Sequence, residues 1–125
     1  MLQQADPETI AQMVIRGQAD IGIATESLLN NAVLRCHRYY DWSHVVIVPK
    51  DHELAELADV MDGVDLPELA SFPIITYHGG FTGRSAIDRT FEQAGLQPKI
   101  VLAALDSDVI STYVSAGLGV GIIAE

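Results

Sequence analysis

Short apolar runs, punctuated by glycine and proline, alternate along this chain with segments whose apolar residues recur at helical spacing. That alternation restricts the chain to the α/β class. The runs are Ala19–Ala24, Val45–Val48, Pro73–Tyr77, Ile100–Ala104 and Val120–Ile123. Asp6-Pro7-Glu8 reads as a helix start, because Asp accepts orphan backbone N–H groups, Pro presets φ and Glu suits the positive end of the dipole. Ile10, Met13 and Val14 then share a face, and Gly17 is the stop. Leu66–Ala70 is a short helix, while Leu54 to Val64 reads as weak helix or loop. Arg84 to Ala94 is helical with Ile87, Phe91 and Ala94 on one face, ended by Gly95 with Pro98 beyond. Asp106 or Ser107 caps a last helix, along which Val109, Ile110, Tyr113 and Val114 recur until Gly117. Such a chain builds a parallel or mixed sheet by right-handed crossovers, with ligands at the carboxyl ends of strands.

The run Val45–Val48 is continuously apolar and β-branched, which predicts a strand covered on both faces and ended by Pro49. Lys50-Asp51-His52 is a polar turn. Thr25 to Asp41 has no clean period and scatters Asn30, Asn31, Arg35, His37 and Arg38 among apolar residues, so it reads as an extended crossing segment. The boundary between two lobes is placed there. Residues 1–41 form part of a first lobe with its crossing segment, and residues 42–125 form a second lobe.

Composition narrows function. A globule of 125 residues exposes about 6,500 Å² when compact, so roughly two-thirds of the extended chain's surface is available to a core. The net charge of −10 repels phosphate backbones and anionic membranes, so this chain alone is a poor nucleic-acid binder. Cys36 stands alone, which excludes an intrachain disulfide and fits a reducing, cytoplasmic setting; it reads as a small half-buried hydrophobe. No stretch approaches the ~20 apolar residues of a membrane span, and Met1 leads into Gln3, Gln4 and Asp6 rather than a signal sequence.

The segment Thr76 to Ser85 carries the most chemistry, since a strand feeds the glycine-rich turn His78-Gly79-Gly80-Phe81-Thr82-Gly83 and the turn opens a helix. Glycines let backbone N–H groups approach a ligand, a helix N-terminus favours anions, Thr82 and Ser85 add hydroxyls and Arg84 adds charge. A purely structural turn before a capped helix explains the same residues equally well. It is not a phosphate loop, because three residues separate Gly79 from Gly83 where that motif needs four, and Arg84 stands in the lysine position. Gly117-Leu118-Gly119-Val120-Gly121 follows a helix and enters a strand, the reverse of a dinucleotide fingerprint, and reads as a helix-to-strand turn. Thr25, at the end of the first run, either faces a ligand or caps its own turn. Trp42, at the lobe boundary, lines a cleft or fills core.

Enzyme chemistry finds no support. His37, His44, His52 and His78 are spaced by seven, eight and twenty-six residues, none a helical ligand pair, so neither a metal nor another cofactor is implied. No Gly-x-Ser-x-Gly elbow is present, and Asp106 with Asp108 reads as a helix cap with solvated charge.

The order of these pieces is informative. Gly17-x-Ala19-Asp20-Ile21-Gly22-Ile23-Ala24, Val45 to His52, Phe72-Pro73-Ile74-Ile75 and Ala116-Gly117-Leu118-Gly119-Val120-Gly121 follow one another as in the effector-binding domain of LysR-type transcriptional regulators, which the chain resembles over nearly its whole length. Ile23-Ala24-Thr25-Glu26, Val48-Pro49-Lys50-Asp51-His52, Gly80-Phe81-Thr82-Gly83-Arg84-Ser85 and Asp106-x-Asp108-Val109-Ile110-x-Thr112-Tyr113-Val114 are similar to the CysB/Cbl branch, which controls sulfur assimilation.

The resemblance implies a two-lobed, periplasmic-binding-protein-like α/β effector domain, here with one lobe nearly complete and the other truncated. It implies a small anionic effector such as sulfate, acetylserine, thiosulfate or adenosine phosphosulfate, held by Thr25 of the first lobe and Thr82 of the second, with Gly80 and Phe81 beside Thr82 and Trp42 at the crossing segment. It further implies a cytoplasmic homodimer or homotetramer that meets promoter DNA only through an N-terminal winged helix outside this chain, with no membrane partner. A periplasmic-type solute-binding protein for a small anion shares the architecture and is the alternative.

Overall fold

A computed structural model describes residues 1–61, 63–81 and 83–125. The first element is helix α1 (Pro7–Ile15), and its start is the one the sequence implies. The Asp6 carboxylate accepts from the Thr9 backbone N–H at 3.0 Å and from the Thr9 hydroxyl at 2.6 Å, with Pro7 in the first turn. Ala11 is the fully buried residue of this helix.

The segment Ala19–Ala24 is not a strand. It runs without regular structure, pairs with no strand among the described residues, and leaves Ile21 83% and Ile23 78% exposed. Gly22 passes close to α1, where an added Cβ would stand 2.5 Å from Ile10 Cγ2. A strand needs a neighbour to receive its backbone hydrogen bonds, and an apolar alternating pattern without one stays irregular. The crossing stretch after it is broken by a 3₁₀ turn, Glu26–Leu28, and by Asn31, whose Oδ1 accepts the N–H groups of Val33 and Leu34. Cys36 is half-buried and its thiol donates to the Leu28 carbonyl at 3.1 Å.

The rest of the chain builds a four-stranded sheet from β1 (His44–Ile47), β2 (Pro73–Tyr77), β3 (Lys99–Ala104) and β4 (Val120–Ala124), in the order β1-β4-β2-β3. Strand β2 runs parallel to both of its neighbours, while β1 is antiparallel to β4, so the sheet is mixed. The expectation of a first strand covered on both faces is corrected here: β1 lies at an edge and is half-buried throughout. Four successive apolar residues announce a strand but not its rank in the sheet.

The intervening helices are α2 (Glu53–Met61), α3 (Leu66–Ala70), α4 (Arg84–Gln93) and α5 (Ser107–Ser115). The stretch left open between helix and loop is thus helical, its first turn tied down by the His52 ring, whose Nδ1 accepts the Leu54 N–H at 3.1 Å. Ile87 and Phe91 of α4 are buried, whereas Ala94 is the exposed C-cap rather than a third face residue. Asp106 is the cap of α5, accepting from the Val109 N–H at 2.9 Å; Ile110 and Val114 are buried and Val109 is 38% exposed. The core gathers Ile74 and Ile75 of β2, Leu54 of α2, Phe91 of α4, Ile110 of α5 and Val120 of β4. The Thr76 hydroxyl, buried among them, donates to the Ile122 carbonyl at 3.1 Å and so leaves no orphan polar group. After α5 the glycine-rich turn enters β4 as expected. Gly121 is small by necessity there, since a Cβ would meet Ile47 Cγ1 at 2.6 Å and Val114 Cγ2 at 2.9 Å.

The accessible surface is 8,732 Å², about a third more than a compact globule of this size exposes. Much of the apolar excess precedes the sheet, at Leu2, Ile21, Ile23, Val33, Tyr39 and Tyr40. No described helix is long and apolar enough to cross a membrane.

Candidate functional site

Strand β2 ends at Tyr77, inside the sheet, and the glycine turn begins at the next residue. The turn's frame is firmly set: the His78 N–H donates to the Ala104 carbonyl at 2.7 Å, Phe81 N–H to His78 at 3.1 Å and Arg84 N–H to Phe81 at 2.8 Å. Gly80 and Gly83 adopt φ of 85° and 75°, a region where a side chain costs about 1 kcal/mol or more. Gly83 is the N-cap of α4 and, as a glycine, brings no side chain to that cap. Phe81 is half-buried against the core and meets the His78 ring edge-on at 6.2 Å.

Arg84 does not offer its charge to the cleft. Its Nη1 donates to the Tyr77 carbonyl at 2.6 Å and its Nε to Asp88 Oδ1 at 2.7 Å, so the guanidinium closes the turn on itself. The Phe81 and Arg84 amides are also spent within the turn.

One hollow is lined by this turn and another by the chain around Trp42. A cleft of about 360 Å³ is lined by Gly79, Gly80, Phe81 and His78 on one side and by Asp6, Glu8, Ser27 and Leu28 on the other. Asp6 is held below its ordinary pKa of 3.8 by the Thr9 hydroxyl and, next, by the Thr9 N–H, so it is anionic at neutral pH. An open hollow of about 560 Å³ lies between Tyr40, Asp41, Trp42, Ser43 and Glu125.

The residues expected at the site are distributed as follows. Gly80 and Phe81 line the smaller cleft. Thr25 lines neither hollow; half-buried, it shares a 3.0 Å hydrogen bond with the hydroxyl of Ser27, which does line the cleft. Trp42 is 37% exposed in the open hollow, tilted at 46° to the His44 ring with centroids 5.8 Å apart. Trp42 and the turn nevertheless meet, because a Cβ on Gly83 would lie 3.5 Å from Trp42 Cζ2 and 2.7 Å from His44 Cε1. Thr82 lies outside the described residues. Asp6 and Glu8 escape sequence reasoning as cleft-lining groups, and His44 as a contact of Gly83. The first two read as a helix start and the last as the edge of a strand, and only tertiary packing gives them a second role.

The chain matches the family described as the LysR substrate binding domain over residues 1–125. It is 47% identical over 123 residues to the HTH-type transcriptional regulator SsuR of Burkholderia cenocepacia, an alignment covering 98% of this chain and 39% of that protein. It is 46% identical over 122 residues to the HTH-type transcriptional regulator CysB of the same organism, covering 98% of this chain and 38% of the relative. The crystal structure of the cofactor-binding domain of the Cbl transcriptional regulator superposes with a TM-score of 0.89 at 46% identity, covering 99% of this chain and 53% of that one. The chain therefore spans under two-fifths of these curated relatives and about half of the Cbl domain, and the relatives are transcriptional regulators rather than enzymes. The chain belongs to the LysR substrate binding domain family, with its similarity running to the branch that holds SsuR, CysB and Cbl.

Proposed function

We propose that this chain serves as effector-binding domain in a regulator of sulfur assimilation and cysteine biosynthesis, and that its effector is a small anion of the sulfate, acetylserine, thiosulfate or adenosine phosphosulfate class. The observation that carries the reading is the position of the glycine turn. It sits at the carboxyl end of an interior parallel strand, opens α4, and packs through Gly83 against Trp42 and His44. The sulfur assignment is supported by similarity to SsuR, CysB and Cbl.

In this reading residues 1–41 belong to a first lobe and residues 42–125 form the second, and the anion enters between them. Arg84 is engaged elsewhere and the net charge is −10, so capture rests on neutral local donors: the Gly80 amide, the Thr82 hydroxyl and, from the other lobe, Thr25, which adjoins the cleft through its hydrogen bond to Ser27. Phe81 lines the smaller cleft beside Gly80, and Trp42 stands against Gly83 at the neighbouring open hollow. Family membership extends the proposal to a cytoplasmic homo-oligomer that reaches promoter DNA through a winged helix not contained in this chain.

Calorimetric titration of the effector domain with sulfate, thiosulfate, O-acetylserine and adenosine phosphosulfate tests the site. A hydroxyl bond to a charged ligand is worth about 1.5–3 kcal/mol, so Thr82→Ala weakens the effective ligand roughly tenfold to a hundredfold. Thr25→Ala weakens it in the same sense. Unchanged affinity in both variants would make these threonines turn caps and place the pocket elsewhere.

A further inference from the structure

Tyr77 is the last residue of β2, and its side chain is not explained by packing alone. The ring is 1% exposed, yet the hydroxyl accepts the Ala124 N–H at 2.9 Å and shares a 2.6 Å hydrogen bond with the hydroxyl of Ser107. Ser107 is the first residue of α5 and Ala124 the last of β4. The Tyr77 carbonyl meanwhile accepts Arg84 Nη1 from the first residue of α4. One residue thus binds the end of β4 and the starts of α4 and α5, immediately before the proposed effector turn.

The Ala124 amide needs this hydroxyl. Strands β2 and β4 pair at Ile74–Val120 and Ile75–Gly121, so Ala124 lies beyond their ladder. Its N–H has no partner in that ladder, and leaving a half-buried donor unpaired is costly. A phenylalanine would fill the same volume without serving it. What Ala124 holds in turn is the crossing region: it pairs with His44 in β1, and the next N–H, of Glu125, donates to the Ser43 carbonyl at 2.9 Å. Ser43 and Glu125 share their hollow with Trp42.

We infer that Tyr77 is a positioning residue that couples the effector turn to the crossing strands, its hydroxyl registering the end of β4 against the start of the turn. The inference rests on the effector reading given above. Capture of an anion at the turn moves His78–Gly83 relative to β4, and the Tyr77 hydroxyl carries that displacement to Ala124 and Glu125, and from them to Ser43. Contacts anchored on a buried ring of this kind transmit shifts because the ring is close-packed and its hydroxyl joins two elements at once.

Backbone amide NMR of the effector domain that contains this chain tests the coupling. Wild type, Tyr77→Phe and Ser107→Ala are titrated with sulfate, thiosulfate, O-acetylserine and adenosine phosphosulfate, following the His78–Gly83 amides and those of Ala124 and Glu125. In wild type both sets shift with one apparent affinity. In Tyr77→Phe the turn still shifts, the Ala124 and Glu125 responses are lost, and exchange of the Ala124 amide accelerates about tenfold, as the loss of one net hydrogen bond implies. Ser107→Ala, which keeps the Tyr77–Ala124 bond, retains the distal response and checks the idea independently of how well Tyr77→Phe folds. A turn that responds in wild type while Ala124 stays silent overturns the coupling alone, as does an undiminished Ala124 response in Tyr77→Phe. A turn that answers none of the four ligands overturns the effector reading and the coupling with it.

Discussion

Gly83 touches the His44 ring so closely that a methyl group on its Cα would stand 2.7 Å from Cε1 and 2.8 Å from Nε2. The contact joins the first residue of β1 to the cap of α4. Gly83→Ala therefore meets two penalties, a left-handed φ of 75° and a steric overlap, costing about 2–4 kcal/mol together. Gly95→Ala, at φ 69° with nothing within 4 Å of the added atom, costs only the backbone part, about 1–2 kcal/mol. Urea denaturation separates the two, and adding His44→Ala to Gly83→Ala recovers part of the difference.

Arg84 spans the glycine turn from its end to its beginning. Arg84→Ala removes a charge-assisted bond to the Tyr77 carbonyl and costs about 1–3 kcal/mol. Asp88→Ala removes only the exposed partner of an i,i+4 pair and costs under about 0.5 kcal/mol. Equal denaturation midpoints for the two variants would show that the carbonyl contact contributes nothing.

The cap of α1 depends on an ionised Asp6. Its carboxylate is stabilised in the folded chain by the Thr9 hydroxyl and N–H, so its folded pKa lies below the ordinary 3.8. A carboxylate depressed on folding contributes stability that is fully present above its unfolded pKa and is lost as pH falls through the folded one. Asp6→Ala therefore lowers the melting temperature at pH 6, and the difference from wild type shrinks as the pH is taken below 3.8. A difference that stays constant to pH 2 would contradict this.

Burial separates two kinds of isoleucine in this chain. Ile74 has no exposed surface, and Ile74→Ala costs about 2–5 kcal/mol. Ile21 and Ile23 stand in solvent, and Thr at either place changes stability by less than about 0.5 kcal/mol. A large loss from Ile21→Thr in a chemical denaturation series would mean that this segment is buried in solution.

The same contrast explains what the amino-acid order discloses. The starts of α1 and α5 are legible because Asp6 and Asp106 act within three residues of themselves, and Gly17 and Gly117 mark the ends by a local backbone preference. Strands β2, β3 and β4 are legible from β-branched runs between such signals. Ala19–Ala24 carries the same pattern, but a strand is made by its neighbour, which no local window contains. The glycine turn announces itself, whereas its contact with His44 joins segments far apart in the chain, and the Tyr77 hydroxyl reaches partners 30 and 47 residues away. Arg84 shows the limit most clearly: its charge beside a glycine turn suggests an anion ligand, and its geometry assigns it to the Tyr77 carbonyl instead.

The central claim is that the glycine turn holds the anion, and a heavy-atom sulfate analogue locates the anion directly. Crystals of the effector domain grown with selenate, measured at the selenium edge, yield an anomalous peak at each bound oxyanion. The account predicts a peak within hydrogen-bond distance of the Gly80 amide and the Thr82 hydroxyl, lost in Thr82→Ala. A peak at Arg35 or His52 with none at the turn, or a peak at the turn that persists undiminished in Thr82→Ala, would contradict it.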